Sequence, residues 1–120
     1  MKSLTMICAM LLLAGFATAG DAAQVSVTGH VIRTMVADQD RWGGCMAQLD
    51  VKLSTQGLNC PNRWVSFSCS GDYTAKDIAY RMFDTAQMAY AMGHRVVVRV
   101  DDTKKHNGSC YANRIEVKKR

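Results

Sequence analysis

The cysteines constrain the fold of this chain more than any other feature of its sequence. Among its 120 residues, Cys8 lies in an apolar N-terminal segment, and four more cysteines follow at Cys45, Cys60, Cys69 and Cys110. Four cysteines in a small exported chain predict two disulfides, which can pair in three ways. A zinc site is the alternative, but the chain has no Cys-x-x-Cys pair and its three histidines are scattered. We therefore expect disulfides and no metal.

The N-terminal segment has the layout of a secretory signal peptide. Lys2 precedes an apolar run over residues 4–16, and small residues follow at positions 17–19. A transmembrane helix needs about 20 apolar residues, and this run is shorter. We predict a signal peptide over residues 1–19 with cleavage after Ala19, or alternatively after Ala23. The remaining chain is then a single domain over residues 24–118, secreted or periplasmic and not inserted in a membrane.

Charge and residue chemistry favour a binding protein over an enzyme. The formal net charge is +5 at pH 7, and the basic residues are spread along the chain, which argues against a nucleic-acid partner. His30, His94 and His106 each lie in or beside a predicted turn, and no paired carboxylates or serine-histidine arrangement is marked. With its cysteines bridged, the chain has no free thiolate. We expect no catalysis and no cofactor.

The residue periodicity predicts three strands, one helix and two further strands. Alternation with a period of two predicts strands at residues 24–36, 45–53 and 63–70, and later at 95–100 and 110–117, with a polar loop at 101–109. Between them, an amphipathic helix begins with Thr74 as its N-cap and ends at Gly93. Its apolar stripe consists of Ala75, Ile78, Ala79, Met82, Phe83, Ala86, Ala89 and Tyr90.

This mainly β order, β-β-β-α-β-β, is that of an OB-fold-like five-stranded barrel. The fold predicts how the cysteines pair. If strands two and three form an antiparallel hairpin, Cys45 lies beside Cys69. If strand three runs parallel to the last strand, as closure of such a barrel requires, Cys60 lies beside Cys110. We predict the disulfides Cys45–Cys69 and Cys60–Cys110.

Aromatic residues are the candidate ligand contacts, because OB barrels commonly bind oligosaccharides or oligonucleotides and aromatic rings stack on flat ligands. We predict Trp42, Tyr73 and Tyr111 as binding residues. Trp64 is a further candidate contact, but it alternates within a strand, so it belongs either to a binding face or to the core. Met88 and Met92 fall at the edge of the helical stripe or outside it, so they belong either to a wide core face or to a subunit interface.

Part of the chain resembles a known family. The third strand reads Trp-Val-Ser-Phe at 64–67, the end of the helix Ala-Gln-Met-Ala-Tyr-Ala-Met-Gly-His at 86–94, and the next strand Arg-Val-Val-Val-Arg-Val at 95–100. Over residues 60–100 the chain resembles the B subunits of AB5 toxins, particularly those of the subtilase cytotoxin and pertussis-like type. The resemblance implies an OB-fold, a homo-pentameric ring and recognition of host glycans. The loop at 101–109 departs from the family's pattern, so no sugar-contacting residue is carried over.

Two functions follow from these patterns. The first is a secreted, B-subunit-like binding module that recognises glycans or a protein surface. The second is a periplasmic inhibitor or immunity-type protein that binds and masks another protein.

Overall fold

The structure is a computed structural model that describes residues 24–119. The predicted signal peptide, with Cys8 and the cleavage positions after Ala19 and Ala23, lies outside the described residues. Within them, the chain is mainly β with one α-helix. The elements are β1 Gln24–Val36, a 3-10 helix Arg41–Gly43, β2 Cys45–Leu49, a 3-10 helix Leu53–Gln56, β3 Trp64–Ser66, α1 Lys76–Met92, β4 Arg95–His106 and β5 Ser109–Lys118.

The five strands close into a ring in the order β1-β2-β3-β5-β4. All neighbours are antiparallel except β3 and β5, which run parallel. The long strand β1 makes closure possible because residues 24–30 pair with β4 and residues 31–36 pair with β2. A register shift next to Ile32 marks the change of partner, and such bulges bend a strand.

Asp50 fastens this bend. Its carboxylate accepts a hydrogen bond of 2.8 Å from the His30 backbone N–H and lies 3.2 Å from His30 Nδ1. Burial acts to raise the pKa of Asp50, but these hydrogen bonds outweigh it and hold the pKa below its ordinary value. Glycine at position 29 leaves room for this carboxylate, since a Cβ there would lie 2.5 Å from Asp50 Oδ1 and would displace it.

The interior of the ring is filled by valines, leucines and Phe67, and α1 packs against it. The helix buries Ala79, Met82, Phe83, Ala86 and Ala89. Phe83 meets Phe67 with ring centroids 6.5 Å apart. The predicted stripe is therefore confirmed at its centre and wrong at three positions, because Ala75 is exposed, Ile78 is 45% exposed and Tyr90 is 52% exposed.

Both predicted disulfides are present, Cys45–Cys69 and Cys60–Cys110. The first joins the start of β2 to the segment after β3, and the second joins the segment before β3 to β5. Each disulfide typically contributes about 2–4 kcal/mol to a domain of this size. The pair is consistent with an oxidising, extracytoplasmic compartment.

Two predicted strands are too long. β2 ends at Leu49 because the chain enters a 3-10 helix at Leu53, and β3 ends at Ser66. Ser68 has a φ of 61°, a left-handed conformation that extended backbone cannot adopt, so the predicted strand stops before it.

The predicted loop at 101–109 is also wrong. β4 continues to His106, and a tight turn at Asn107 and Gly108 joins it to β5. Both turn residues have positive φ, 50° and 85°, which is the hairpin geometry that Asn-Gly favours.

The ends of α1 follow the prediction only in part. Its N-cap is Ala75, which has no side-chain cap, and not Thr74. Gly93 ends the helix with a φ of 66°, as predicted. No helix within residues 24–119 has the length and apolar character needed to cross a membrane.

Candidate functional site: an aromatic groove

The outer face of β1, β2 and β3 carries two rows of side chains. Strand pairing aligns them across the three strands as Arg33, Gln48 and Trp64 in one row and Met35, Met46 and Ser66 in the next. Their alternating neighbours Ala47 and Val65 lie in the core, which places both rows outside the ring.

The loop between β1 and β2, residues 37–44, folds over the second row. The Ser66 hydroxyl donates a hydrogen bond of 2.8 Å to the Trp42 carbonyl oxygen. The Trp42 backbone N–H donates one of 3.1 Å to Asn107 Oδ1 in the β4–β5 turn. These two bonds fix Trp42 between the sheet and the turn.

We call the resulting cavity the aromatic groove. It has a volume of about 240 Å³ and is lined by Met35, Trp42, Met46, Asn62, Trp64, Asn107 and Ser109. Ligand pockets usually measure about 300–1,000 Å³, so this one suits a small group such as a single ring. Met46 is buried, whereas Trp42 is 36% exposed. The Arg33 guanidinium lies 5.4 Å from the centre of the Trp64 ring and holds it by a cation–π contact.

We call the β1–β2 loop, residues 37–44, the groove loop. Its backbone is strained. Gln39, Asp40 and Trp42 have positive φ angles of 52°, 57° and 50°. A left-handed conformation costs an ordinary residue roughly 1–2 kcal/mol, and such strain persists only where surrounding contacts hold it. Gly43, with a φ of 76°, makes the closest approach: a Cβ there would nearly overlap the Ser66 hydroxyl and lie 2.6 Å from His106 Cδ2.

Beneath this loop lies a buried network around His106, which is 9% exposed. His106 Nε2 lies 3.0 Å from Ser68 Oγ, and Ser68 Oγ also accepts a 3.1 Å bond from the Tyr73 N–H. The Ser68 N–H in turn donates to Ser66 Oγ at 3.2 Å. Burial lowers the pKa of His106, against the opposing pull of Asp72 and Asp40.

Ser68, His106 and Asp72 have the residue types of a hydrolytic triad, with the histidine between the serine and the aspartate. Their geometry, however, is that of a structural network. Ser68 is fully buried, and His106 Nδ1 lies 3.8 Å from Asp72 Oδ2, which is beyond hydrogen-bond distance. Ser68 Oγ is therefore out of contact with solvent in this conformation. The network instead supports the groove loop.

Tyr73 and Tyr111 form a separate aromatic cluster. Their ring centroids are 5.4 Å apart, and Tyr73 lies 4.6 Å from His106. The Tyr73 hydroxyl donates to the Lys105 carbonyl at 2.9 Å. Tyr111 is 5% exposed, and burial raises the pKa of its hydroxyl. Of the three predicted binding residues, only Trp42 lines the groove.

A second cavity adjoins the groove and shares Asn62 with it. Its volume is about 280 Å³, and its walls are Lys52, Leu53, Ser54, Pro61, Asn62 and Arg63. Two cations and no acid line this basic cavity. Within residues 24–119, no three His, Cys, Asp or Glu side chains come together as metal ligands.

The sequence patterns missed most of the groove. Because side chains alternate along β3, the pattern that places Val65 in the core places Trp64 on the outer face. This alternation indicates that Trp64 is not a core residue. The Asn-Gly pair signals the turn that brings Asn107 and Ser109 to the rim. On α1, Met88 and Met92 are 48% and 53% exposed, so neither belongs to the core.

Comparison with known proteins does not extend this description. No protein-family model, no curated protein and no solved structure matches the chain. The groove itself is the basis for a functional conclusion.

Proposed function

We propose that the protein is a secreted, non-enzymatic binding protein that holds a sugar ring of a glycan in the aromatic groove. The observation that carries this proposal is the pair Trp42 and Trp64 in one small cavity edged by Asn62, Asn107 and Ser109. A sugar offers an apolar face for stacking on an indole ring and hydroxyls for amide and hydroxyl partners. The groove supplies both kinds of contact.

The topology supports the same proposal. A closed order β1-β2-β3-β5-β4 with the helix between β3 and β4 is the arrangement of an OB-fold, which we propose for this domain. OB-folds bind ligands on the face of strands two and three and on the β1–β2 and β4–β5 loops. The aromatic groove is built from these elements.

Assembly is the second part of the proposal. Met88 and Met92 are exposed on α1, and we propose that they lie at an interface between copies, in keeping with the resemblance to pentameric toxin B subunits. The location is secreted or periplasmic, where the two disulfides form and persist.

An inhibitor that masks another protein is the second candidate. The methionines and tryptophans of the groove favour it, because Trp and Met are enriched at the centres of protein interfaces. In this function an apolar side chain of the partner takes the place of the sugar.

A glycan array tests the choice. The chain is produced with its leader, so that its disulfides form on export, and is compared with Trp42→Ala and Trp64→Ala. Tyr90→Ala is the matched control, because Tyr90 is an exposed aromatic residue on α1, outside the groove. We expect signals from a related set of glycans that fall about tenfold or more in both tryptophan variants and persist in Tyr90→Ala.

Two results contradict the glycan proposal: no signal from the folded wild-type protein, or equal signals from all four proteins. Thermal melting of each variant shows that the fold is retained. In the first case, capture of a single exported protein by the wild type, abolished in Trp42→Ala, supports the inhibitor.

A further inference from the structure

We propose that His106 is a positioning residue for the aromatic groove: its neutral ring supports the loop that carries Trp42, and its protonation displaces that loop. The ring touches the loop directly, since a Cβ on Gly43 would lie 2.6 Å from His106 Cδ2. No groove-lining atom comes from His106 itself, so it acts only through Trp42 and its neighbours.

The hydrogen bonds continue from His106 to Trp42 without a gap. His106 Nε2 meets Ser68 Oγ, the Ser68 N–H donates to Ser66 Oγ, and the Ser66 hydroxyl donates to the Trp42 carbonyl. Ser66 and Ser68 are fully buried, so water cannot replace a lost partner. A change at the imidazole therefore reaches the backbone of Trp42 through three hydrogen bonds.

One protonation state satisfies this network. The Ser68 oxygen accepts from the Tyr73 N–H and lies 3.0 Å from His106 Nε2. We assign the Ser68 hydroxyl hydrogen to this second contact, with an unprotonated Nε2 as its acceptor. When Nε2 carries a proton, it must donate to Ser68 as well, and the buried Ser68 hydroxyl hydrogen loses its acceptor. An unpaired buried donor destabilises the folded conformation, because its hydrogen bond to water is lost without replacement.

Burial and the nearby acidic groups together determine the pKa of His106. Asp72, from the segment after β3, lies 3.8 Å from Nδ1, and Asp40 belongs to the groove loop. Both favour the charged ring. The Tyr73 ring packs against it at an angle of 49°, and the cation of Lys104 lies 6.0 Å from the Tyr73 ring. Burial outweighs the two acids and lowers the pKa of His106.

The direction of the pH effect follows. Because the pKa in the folded state is below the ordinary value of about 6.5, the unfolded chain binds this proton more readily. The neutral His106 ring therefore supports the groove loop fully at a pH above the ordinary histidine pKa. This support is lost as the pH falls through the pKa of His106 in the folded state. The strained groove loop is the part that yields, since its left-handed residues depend on these contacts.

Fluorine NMR of the protein labelled with 5-fluorotryptophan tests this proposal without any ligand. The chain has two tryptophans, and Trp64→Phe assigns the two resonances. Between about pH 8 and about pH 5, we expect the Trp42 resonance to shift in a one-proton transition with its midpoint below the ordinary histidine value. The transition disappears in His106→Gln and remains in His30→Gln, the matched control at the Asp50 bend.

A second variant keeps the proposal testable if His106→Gln does not fold. Asp72 is 64% exposed, so Asp72→Asn is compatible with folding. It removes an acid that favours the charged ring and shifts the midpoint to lower pH. A Trp42 resonance that does not move with pH overturns the proposal, as does a transition that survives in His106→Gln or is unchanged in Asp72→Asn.

The inference concerns the groove of the proposed function but is tested separately from it. If the loop responds to His106 and no glycan binds, only the glycan proposal fails. If a glycan binds equally at both pH values and Trp42 stays in place, only the role of His106 fails.

Discussion

Two exposed apolar surfaces of this molecule differ in how they are supported. The aromatic groove is concave, combines two tryptophans with polar side chains, and rests on a buried hydrogen-bond network. The helix surface, formed by Ile78, Met88 and Met92 on α1, is the outside of a single helix. The groove residues range from buried Met46 to exposed Trp42, whereas the three helix residues are all about half exposed. The groove also holds oriented donors and acceptors. This difference is the reason why we propose a small polar ligand for the groove and a flat partner, such as a second copy, for the helix surface.

The largest expected effect comes from Gly43→Ala, which tests whether the groove depends on the packing of its loop. The new methyl group meets Ser66 and His106, and the residue keeps a left-handed backbone. We expect a loss of roughly 2–5 kcal/mol in the free energy of unfolding, the sum of backbone strain and overpacking. Chemical denaturation measures it, and glycan binding falls with it.

Gly57→Ala is the matched control. Gly57 has a nearly equal φ of 78°, but nothing lies within 4 Å of the added Cβ. Only the backbone strain of roughly 1–2 kcal/mol remains, and the groove is untouched. Equal losses in the two variants contradict a tightly packed loop.

The cysteine pairing and the order of the elements are predictable from the sequence, whereas the groove is not. Alternation shows which side chains share a face of a strand. The order of the elements then indicates which cysteines lie side by side, and so predicts the two disulfides. Alternation does not show which outer face is covered by a loop. The path of the groove loop depends on left-handed backbone at Gln39, Asp40 and Trp42, and residues of these types usually adopt other conformations.

The helix teaches a related lesson. Periodicity locates the buried stripe, but Ile78 lies in the first turn of α1 and Tyr90 in the last, where the width of the surface against which α1 packs determines exposure. That width is a property of the assembled ring of strands and not of the helical sequence.

A smaller expected effect, and one that sharpens the contrast, comes from Met88→Glu on the helix surface. Because Met88 is 48% exposed, we expect a change in the free energy of unfolding within about 0.5 kcal/mol. If α1 forms a subunit interface, the charge disrupts assembly, and light scattering shows a lower mass. Gln87→Glu, at the exposed neighbouring residue, introduces the same charge outside this surface and leaves the mass unchanged. A wild-type protein that is already monomeric removes the interface from the account.

The most direct test of the account uses the methionines as reporters in the two surfaces. Met35 and Met46 line the groove, Met88 and Met92 lie on the outside of α1, and Met82 is a buried control in the helix stripe. Their methyl groups, labelled with carbon-13, are followed by NMR while the glycan selected on the array is added. The account predicts shifts at Met35 and Met46, with the other three unchanged. Shifts confined to Met88 and Met92 would contradict it and place recognition on the helix.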